Sequence, residues 1–168
     1  MILKVNYSIN LTTIVLRPAN IRDIDVLYKW VNNRDSIKNK LLTQEKIAFS
    51  THKMWLENAI KSDLIKIFII ERHGNPIGNI KVKETSNFDI DIFITKSERN
   101  KGYAKEALNY IINLLIKDNK DLVIEVNVSK NNISSLNLFN SCGFKRLSDD
   151  GKFYKLNHRR MEQRILWY

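Results

Sequence analysis

The sequence predicts an α/β fold, a mixed sheet with helices packed against it, on three observations. Residues 88 to 94, Phe-Asp-Ile-Asp-Ile-Phe-Ile, have the period of a strand, whereas Ala104, Leu108, Ile111 and Leu115 recur with the period of a helix. A second strand-like run, Leu122 to Val128, again leads into a helix-like segment that begins at Asn132. Upstream, two β-rich runs, Ile65 to Glu71 and Ile77 to Lys83, are joined by Arg72-His73-Gly74-Asn75-Pro76, a cluster of turn formers that reads as a hairpin.

Taken in order, residues 1 to 13 carry no clear pattern. Thr13-Ile14-Val15-Leu16-Arg17 is β-branched and apolar, a first strand stopped by Pro18. Asn20 suits a helix cap with Asp23 as its partner three residues on, and Ile21, Ile24, Leu27, Tyr28 and Val31 form one face. Trp30-Val31-Asn32-Asn33 ends that helix, and the polar stretch to Lys40 reads as a loop. Ser50 to Lys61 places His52, Trp55, Leu56, Ala59 and Ile60 at helical spacing. Two readings of it stay open: Trp55 packs into the core with His52 at the edge, or the two form the wall of a pocket.

The hairpin follows. His73 belongs to its turn, and Gly78 marks a close backbone or ligand approach or a strand irregularity. On the next strand Ile90, Ile92 and Ile94 share one face, and Asp89, Asp91 and Phe93 the other. Two carboxylates on one face repel unless solvated or used, so both are candidates for a general base. Further on, Glu125 and Asn127 lie opposite Ile124 and Val126. Asn127 suits either a bound water or acceptor, or a structural hydrogen bond. The chain closes with Gly143-Phe144, a strand, a turn at Asp149-Asp150-Gly151, and a last strand from Lys152 to Trp167, broken near Asn157.

With 168 residues, 43% of them hydrophobic and 27% charged, the chain suits one domain over residues 1 to 168 with a sizeable core. No run is long enough to span a bilayer, and Met1 to Asn6 lacks the features of a signal peptide, so the expected compartment is the cytoplasm. The single cysteine, Cys142, agrees with a reducing compartment and reads as a buried thiol. Lys+Arg 28 against Asp+Glu 18 gives +10, which favours an anionic partner. Nucleic acid is a weak candidate, because the bases are scattered and no aromatic-basic ladder is present. Multiply phosphorylated small molecules are better ones. No membrane partner is expected, and a homodimer is left open.

Between the 88–94 strand and its helix lies Arg99-Asn100-Lys101-Gly102-Tyr103-Ala104. The first N–H groups of a helix have no intrahelical partner, and its dipole adds positive potential there. Gly102 removes a side chain that would hold a phosphate away, and Arg99 and Lys101 add charge, so the turn suits an anion.

This Arg-x-x-Gly-x-Ala turn resembles that of the GNAT superfamily of acetyl-CoA-dependent N-acetyltransferases, where it holds the coenzyme A pyrophosphate. The order of the flanking elements strengthens the likeness. Asn132-x-x-Ser135-x-x-Leu138-Phe139 followed by Gly143-Phe144 resembles the family's next helix, and Ile77-Gly78 resembles a pair in its third strand. The resemblance covers about residues 14 to 156. It implies a central, mixed, mostly antiparallel sheet flanked by helices, acetyl-CoA as cosubstrate, and no metal. It also implies cofactor contacts from Ile92, Phe93 and Ile94 along the pantetheine arm, from residues 99 to 104 (Arg99, Asn100, Lys101, Gly102, Tyr103, Ala104), and from Asn132, Ser135 and Phe139.

Acetyl transfer requires a neutral amine, a polarised thioester carbonyl and protonation of the departing thiolate. Asp91, Asp89, His52 and Asn127 are the candidate catalytic residues. Many family members place a Tyr where this chain has Phe139, which cannot donate a proton, and Tyr154, Ser141 or solvent is then the donor. The segment from Arg17-Pro18 to Trp30-x-Asn32 resembles the opening of enzymes that acetylate ribosomal proteins or amino sugars. The His52-x-x-Trp55 pair is similar to the branch acting on nucleotide-linked deoxyamino sugars. The expected acceptor is therefore a small-molecule amine, most simply a nucleotide-linked amino sugar. A peptide N-terminus, for which Asn127 lacks the usual Glu, and a non-catalytic acyl-CoA sensor are the alternatives.

Overall fold

A computed structural model describes residues 7–38, 45–117 and 122–159. Eight strands form one sheet in the order β1-β2-β3-β4-β5-β6-β8-β7. The strands are β1 (Ile9–Asn10), β2 (Val15–Pro18), β3 (Ile65–Arg72), β4 (Asn75–Glu84), β5 (Phe88–Ile94), β6 (Val123–Ser129), β7 (Lys145–Asp149) and β8 (Phe153–Arg159). Every neighbouring pair is antiparallel except β5 with β6. That exception follows from the intervening helix, since parallel strands need a crossover.

The helices are α1 (Ile24–Val31), α2 (Arg34–Lys38), α3 (Phe49–Lys61), α4 (Tyr103–Lys117) and α5 (Ile133–Ser141). Strand alternation sends β2 to β5 side chains to two faces. On one, Leu16, Phe68, Ile70, Ile80, Val82, Ile90 and Ile94 join Leu108 and Ile111 of α4 and Phe139 of α5 in the larger core. On the other, Ile67 and Ile69 pack with Leu27 and Trp30 of α1 and Leu56 and Ala59 of α3, and Phe93 leans on that cluster. Burying these apolar faces is the main force holding the layers together.

Local chemistry sets the element ends. Asn20 and Asp23 form the capping box, as expected, before a 3₁₀ turn (Ile21–Asp23) that runs into α1. Asp23 is buried and takes two hydrogen bonds from the Arg17 guanidinium, at 2.8 and 2.7 Å, while Arg17 Nε donates to Glu71 at 2.7 Å. This three-residue clamp ties β2, the start of α1 and β3 together. The β3/β4 turn has positive φ at His73 (50°) and Gly74 (75°), the mark of a two-residue type I′ hairpin.

Two expectations are corrected, and one stretch without a reading is filled in. The stretch to Lys40 is not all loop, because Arg34–Lys38 forms α2, with the Asn33 side chain accepting from the Asp35 N–H. Residues 9 and 10, which carry too short a pattern to read, pair with β2 as an edge strand. The last strand runs through Asn157 without interruption to Arg159; the expected remainder to Trp167 lies outside the described residues.

Candidate active site at the parting of two strands

Parallel pairing between β5 and β6 covers Phe88 with Ile124 and Asp89 with Glu125 only. Beyond that point β5 stays paired to β4 through Ile94, so its other edge opens. The Thr95 N–H donates to the Ile77 carbonyl (2.8 Å), which shows that Thr95, and by alternation Phe93, Asp91 and Asp89, turn their backbone groups toward β4. Ile92 and Ile94 therefore turn theirs toward the opening. The Ile94 carbonyl accepts from Arg99 Nε at 3.0 Å, leaving Ile92 and the Ile94 N–H as polar groups along that edge. A ligand that supplies an amide of its own, as a pantetheine arm does, fits such an edge.

The turn after β5 completes the opening. Asn100 and Gly102 are left-handed, with φ of 61° and 87°. The first intrahelical bond runs from the Glu106 N–H to the Gly102 carbonyl, so the N–H groups of Tyr103, Ala104 and Lys105 precede it. Nothing lies within 4 Å of where a Cβ on Gly102 would stand, which is the free space an anion needs beside those amides. Tyr103 is buried, with the Arg72 guanidinium 5.4 Å from its ring. Arg99 and Lys101 serve the turn less directly than expected. Arg99 folds back, with its Nη1 on Asp35 at 2.6 Å, where it holds the Asp35 carboxyl below the usual range. Lys101 pairs with Glu98 at 3.1 Å.

Gly78 sits where β4 passes closest to β5. A Cβ there would lie 2.2 Å from the Phe93 carbonyl oxygen, so the close-approach reading holds for backbone against backbone.

The face opposite α4 carries the candidate catalytic groups. Asp91 is 67% exposed and meets Lys81 Nζ, on the facing position of β4, at 3.2 Å. Lys81 Nζ also stands 5.7 Å from the centre of the Trp55 ring. Asp89 is open to solvent as a residue, yet desolvation of its carboxyl pushes the pKa up, with Asp91 and Glu125 adding to the rise and Lys81 and Lys83 opposing it. Glu125 pairs with Lys155 at 3.0 Å. Asn127 is exposed on the same face of β6, two residues past the last parallel pair.

The α3 helix reverses the simpler expectation for its pair. His52 is buried at 3% exposure, and Trp55 is 39% exposed. Their rings stack 5.5 Å apart, and Tyr28 tilts against His52 at 5.8 Å. Helical spacing alone did not reveal which of two neighbouring aromatic residues faces the sheet. His52 thus supports the ring of Trp55 by stacking, and the Lys81 ammonium stands over the same partly exposed ring. Sequence reasoning missed Lys81, whose only signal was its place opposite Asp91 in the hairpin register.

On the other side of the opening, Asn132 caps α5 by accepting from the Ser135 N–H at 3.2 Å. Phe139 is buried at 4% exposure with its ring 5.1 Å from that of Phe144. Tyr154 lies between the Lys130 ammonium and the Arg146 guanidinium, each 5.0 Å from its ring centre. The Ser141 hydroxyl donates to the Leu138 carbonyl at 2.8 Å. Cys142 is buried and outside any disulfide, and desolvation pushes its thiol pKa up, the pattern of a structural thiol. Among the described residues no group of three His, Cys, Asp or Glu side chains is arranged to hold a metal ion, and no helix is long and apolar enough to cross a membrane. A hollow of about 140 Å³ lined by Pro18, Ala19, Ala59, Ile60, Ile65 and Ile67 lies at the end of α3, one strand away from Lys81, which pairs with Ile67 in the β3/β4 register.

Comparison with known proteins agrees with this fold. A family model described as an acetyltransferase (GNAT) domain matches residues 13–145. No curated protein matches the chain significantly. Among solved structures, an aminoglycoside acetyltransferase, AAC(6')-Ib, in complex with coenzyme A superposes with a TM-score of 0.72 at 18% identity, covering 88% of this chain and 95% of that one. A spermidine N-acetyltransferase from Vibrio cholerae in complex with coenzyme A and spermine gives 0.74 at 18% identity, covering 87% and 95%. A ribosomal L7/L12 alpha-N-protein acetyltransferase, RimL, in complex with coenzyme A gives 0.74 at 14% identity, covering 89% and 94%. At these identities the likeness is one of fold.

Proposed function

The chain belongs to the acetyltransferase (GNAT) domain family and is an acetyl-CoA-dependent N-acetyltransferase, and from that premise we propose that its acceptor is the amino group of a nucleotide-linked deoxyamino sugar. The observation that carries the acceptor reading is the partly exposed Trp55 ring with the Lys81 ammonium over it, an aromatic surface and a cation in one place. Such a pair suits a group that is both planar and phosphorylated.

In this reading acetyl-CoA lies between β5 and β6, its pyrophosphate on the amides of residues 102 to 105 and its pantetheine along Ile92 to Ile94. Phe93 forms part of the acceptor wall with Trp30, whose ring is 5.6 Å away. The amine attacks the thioester carbon, a C–N bond forms and the C–S bond breaks. Asp91, directly or through a water, takes the proton that leaves nitrogen, and Asp89 is the alternative base on the same strand. Asn127 holds water or acceptor from β6. His52 positions Trp55. The thiolate takes a proton from Tyr154, Ser141 or solvent, since Phe139 has none to give. Asn132 and Ser135 shape the α5 side of the cleft.

The test is release of free thiol from acetyl-CoA against a panel of amines. Transfer to a nucleotide-linked amino sugar in preference to peptide N-termini and polyamines supports the reading. Faster transfer to peptides, or none to any amine, would replace it with peptide acetylation or with acyl-CoA sensing.

A further inference from the structure

We propose that Lys81 is a specificity-determining residue that receives the phosphate portion of the acceptor and, in doing so, leaves Asp91. This inference rests on the acetyltransferase reading and extends it to one side chain. Lys81 is the junction of the acceptor face: its ammonium is 3.2 Å from the Asp91 carboxylate and 5.7 Å from the Trp55 ring centre, and its side chain is 29% exposed. A half-exposed cross-strand ion pair of this kind is worth little in stability, so exchanging one anion for another costs little.

The surrounding charge says which acceptors such a cation admits. Each carboxylate on this face of β5 and β6 is matched by a lysine. Asp91 has Lys81 and Glu125 has Lys155, both in ion pairs, and Asp89 faces Lys83 in the β4/β5 register. A face whose carboxylates are neutralised offers no net attraction to a polycation such as an aminoglycoside or spermine, and the chain's +10 charge opposes them further. An incoming diphosphate reverses this balance. It outcompetes a single carboxylate for Lys81, because it carries more charge and more acceptor oxygens, and the released Asp91 then stands beside the acceptor with no cation on it. Base and substrate recognition are thereby coupled: Asp91 is freed when an anionic acceptor is present.

The experiment has two arms on the intact chain. In the first, binding of UDP, used as a simple nucleoside diphosphate, is followed by tryptophan fluorescence with coenzyme A saturating, so that the cofactor's own phosphate site is filled. Wild type binds, Lys81→Ala binds at least tenfold more weakly, and Lys81→Arg restores most of the affinity. In the second, thiol release is measured with an amino sugar in free and nucleotide-linked forms. Lys81→Ala raises KM for the linked form at least tenfold and lowers the ratio of kcat/KM for the linked over the free form by a similar factor. Loss of UDP binding in wild type, or equal binding by wild type and Lys81→Ala, overturns the proposal whatever the activity. Lys81-dependent UDP binding without thiol release from any amine would instead overturn the acceptor reading and leave the Lys81 assignment standing.

Discussion

Asp89 of β5 and Glu125 of β6 form the last parallel pair between their strands. Two residues further along, Asp91 faces the lysine of the opposite neighbour, Lys81, and β6 has departed. The cleft is therefore a consequence of register: β5 keeps all its bonds to β4 and loses those to β6 just before the Ile92–Ile94 backbone. In the proposed binding mode, a molecule that enters there uses the strand edge, the amides of residues 103 to 105 and the Asp91/Trp55 face.

The pyrophosphate assignment predicts that Gly102→Glu weakens acetyl-CoA binding by at least tenfold. A side chain at φ 87° costs roughly 1–2 kcal/mol of strain, but nothing in the protein blocks it. Gly102→Ala separates the charge from the other effects: it carries the strain and one methyl in that space without the carboxylate, and should lose less affinity than Gly102→Glu. Isothermal titration measures both, and equal affinity in wild type and Gly102→Glu would show that the phosphates lie elsewhere.

Replacement of the base has a different signature. Asp91→Asn should lower kcat by about 10²–10⁴-fold, the range for a positioned general base, with acetyl-CoA affinity unchanged. Asp89→Asn is the control on the same face. Parallel losses in turnover and cofactor affinity would assign Asp91 a structural role.

The Arg17 clamp makes a prediction about stability. Asp23→Asn leaves the partly buried Arg17 guanidinium with Glu71 as its remaining carboxylate and should cost about 1–3 kcal/mol, read by urea unfolding. Desolvation raises the Asp23 pKa, but the Arg17 hydrogen bonds, the Asn20 N–H and the Arg17 charge outweigh it, so the folded value lies below the ordinary 3.8. Its contribution is then present at neutral pH and lost as pH falls from about that value through the folded one. Unchanged acid unfolding in Asp23→Asn would contradict this.

His158 acts at higher pH. Its Nδ1 is buried with no hydrogen-bond partner, its ring lies 5.3 Å from Phe144, and burial lowers its pKa from 6.5. The folded state thus prefers the neutral ring, and stability is full above 6.5 and declines as pH drops below it. Thermal melts between pH 7.5 and 5 should fall more steeply for wild type than for His158→Leu. Identical slopes would mean that the ring gains a proton without cost.

Much of this architecture was legible because it rests on local patterns. The alternation at 88–94, the capping pair Asn20/Asp23 and the His73-Gly74 turn each encode their element in a few consecutive residues. The nest at Asn100 and Gly102 was legible for the same reason. What the chain order hid depends on contacts across it. The direction of the Arg99 side chain is set by Asp35, 64 residues away. The inversion of His52 and Trp55 depends on which side of α3 meets the sheet, and the importance of Lys81 depends on β4 and β5 pairing with it opposite Asp91.

The most direct measurement is initial-rate thiol release from acetyl-CoA by the wild-type chain, offered a nucleotide-linked amino sugar, the same sugar free, a peptide N-terminus and spermidine at equal concentration. The highest kcat/KM is expected for the linked sugar and the lowest for spermidine. A higher kcat/KM for spermidine or the peptide than for the linked sugar would contradict it.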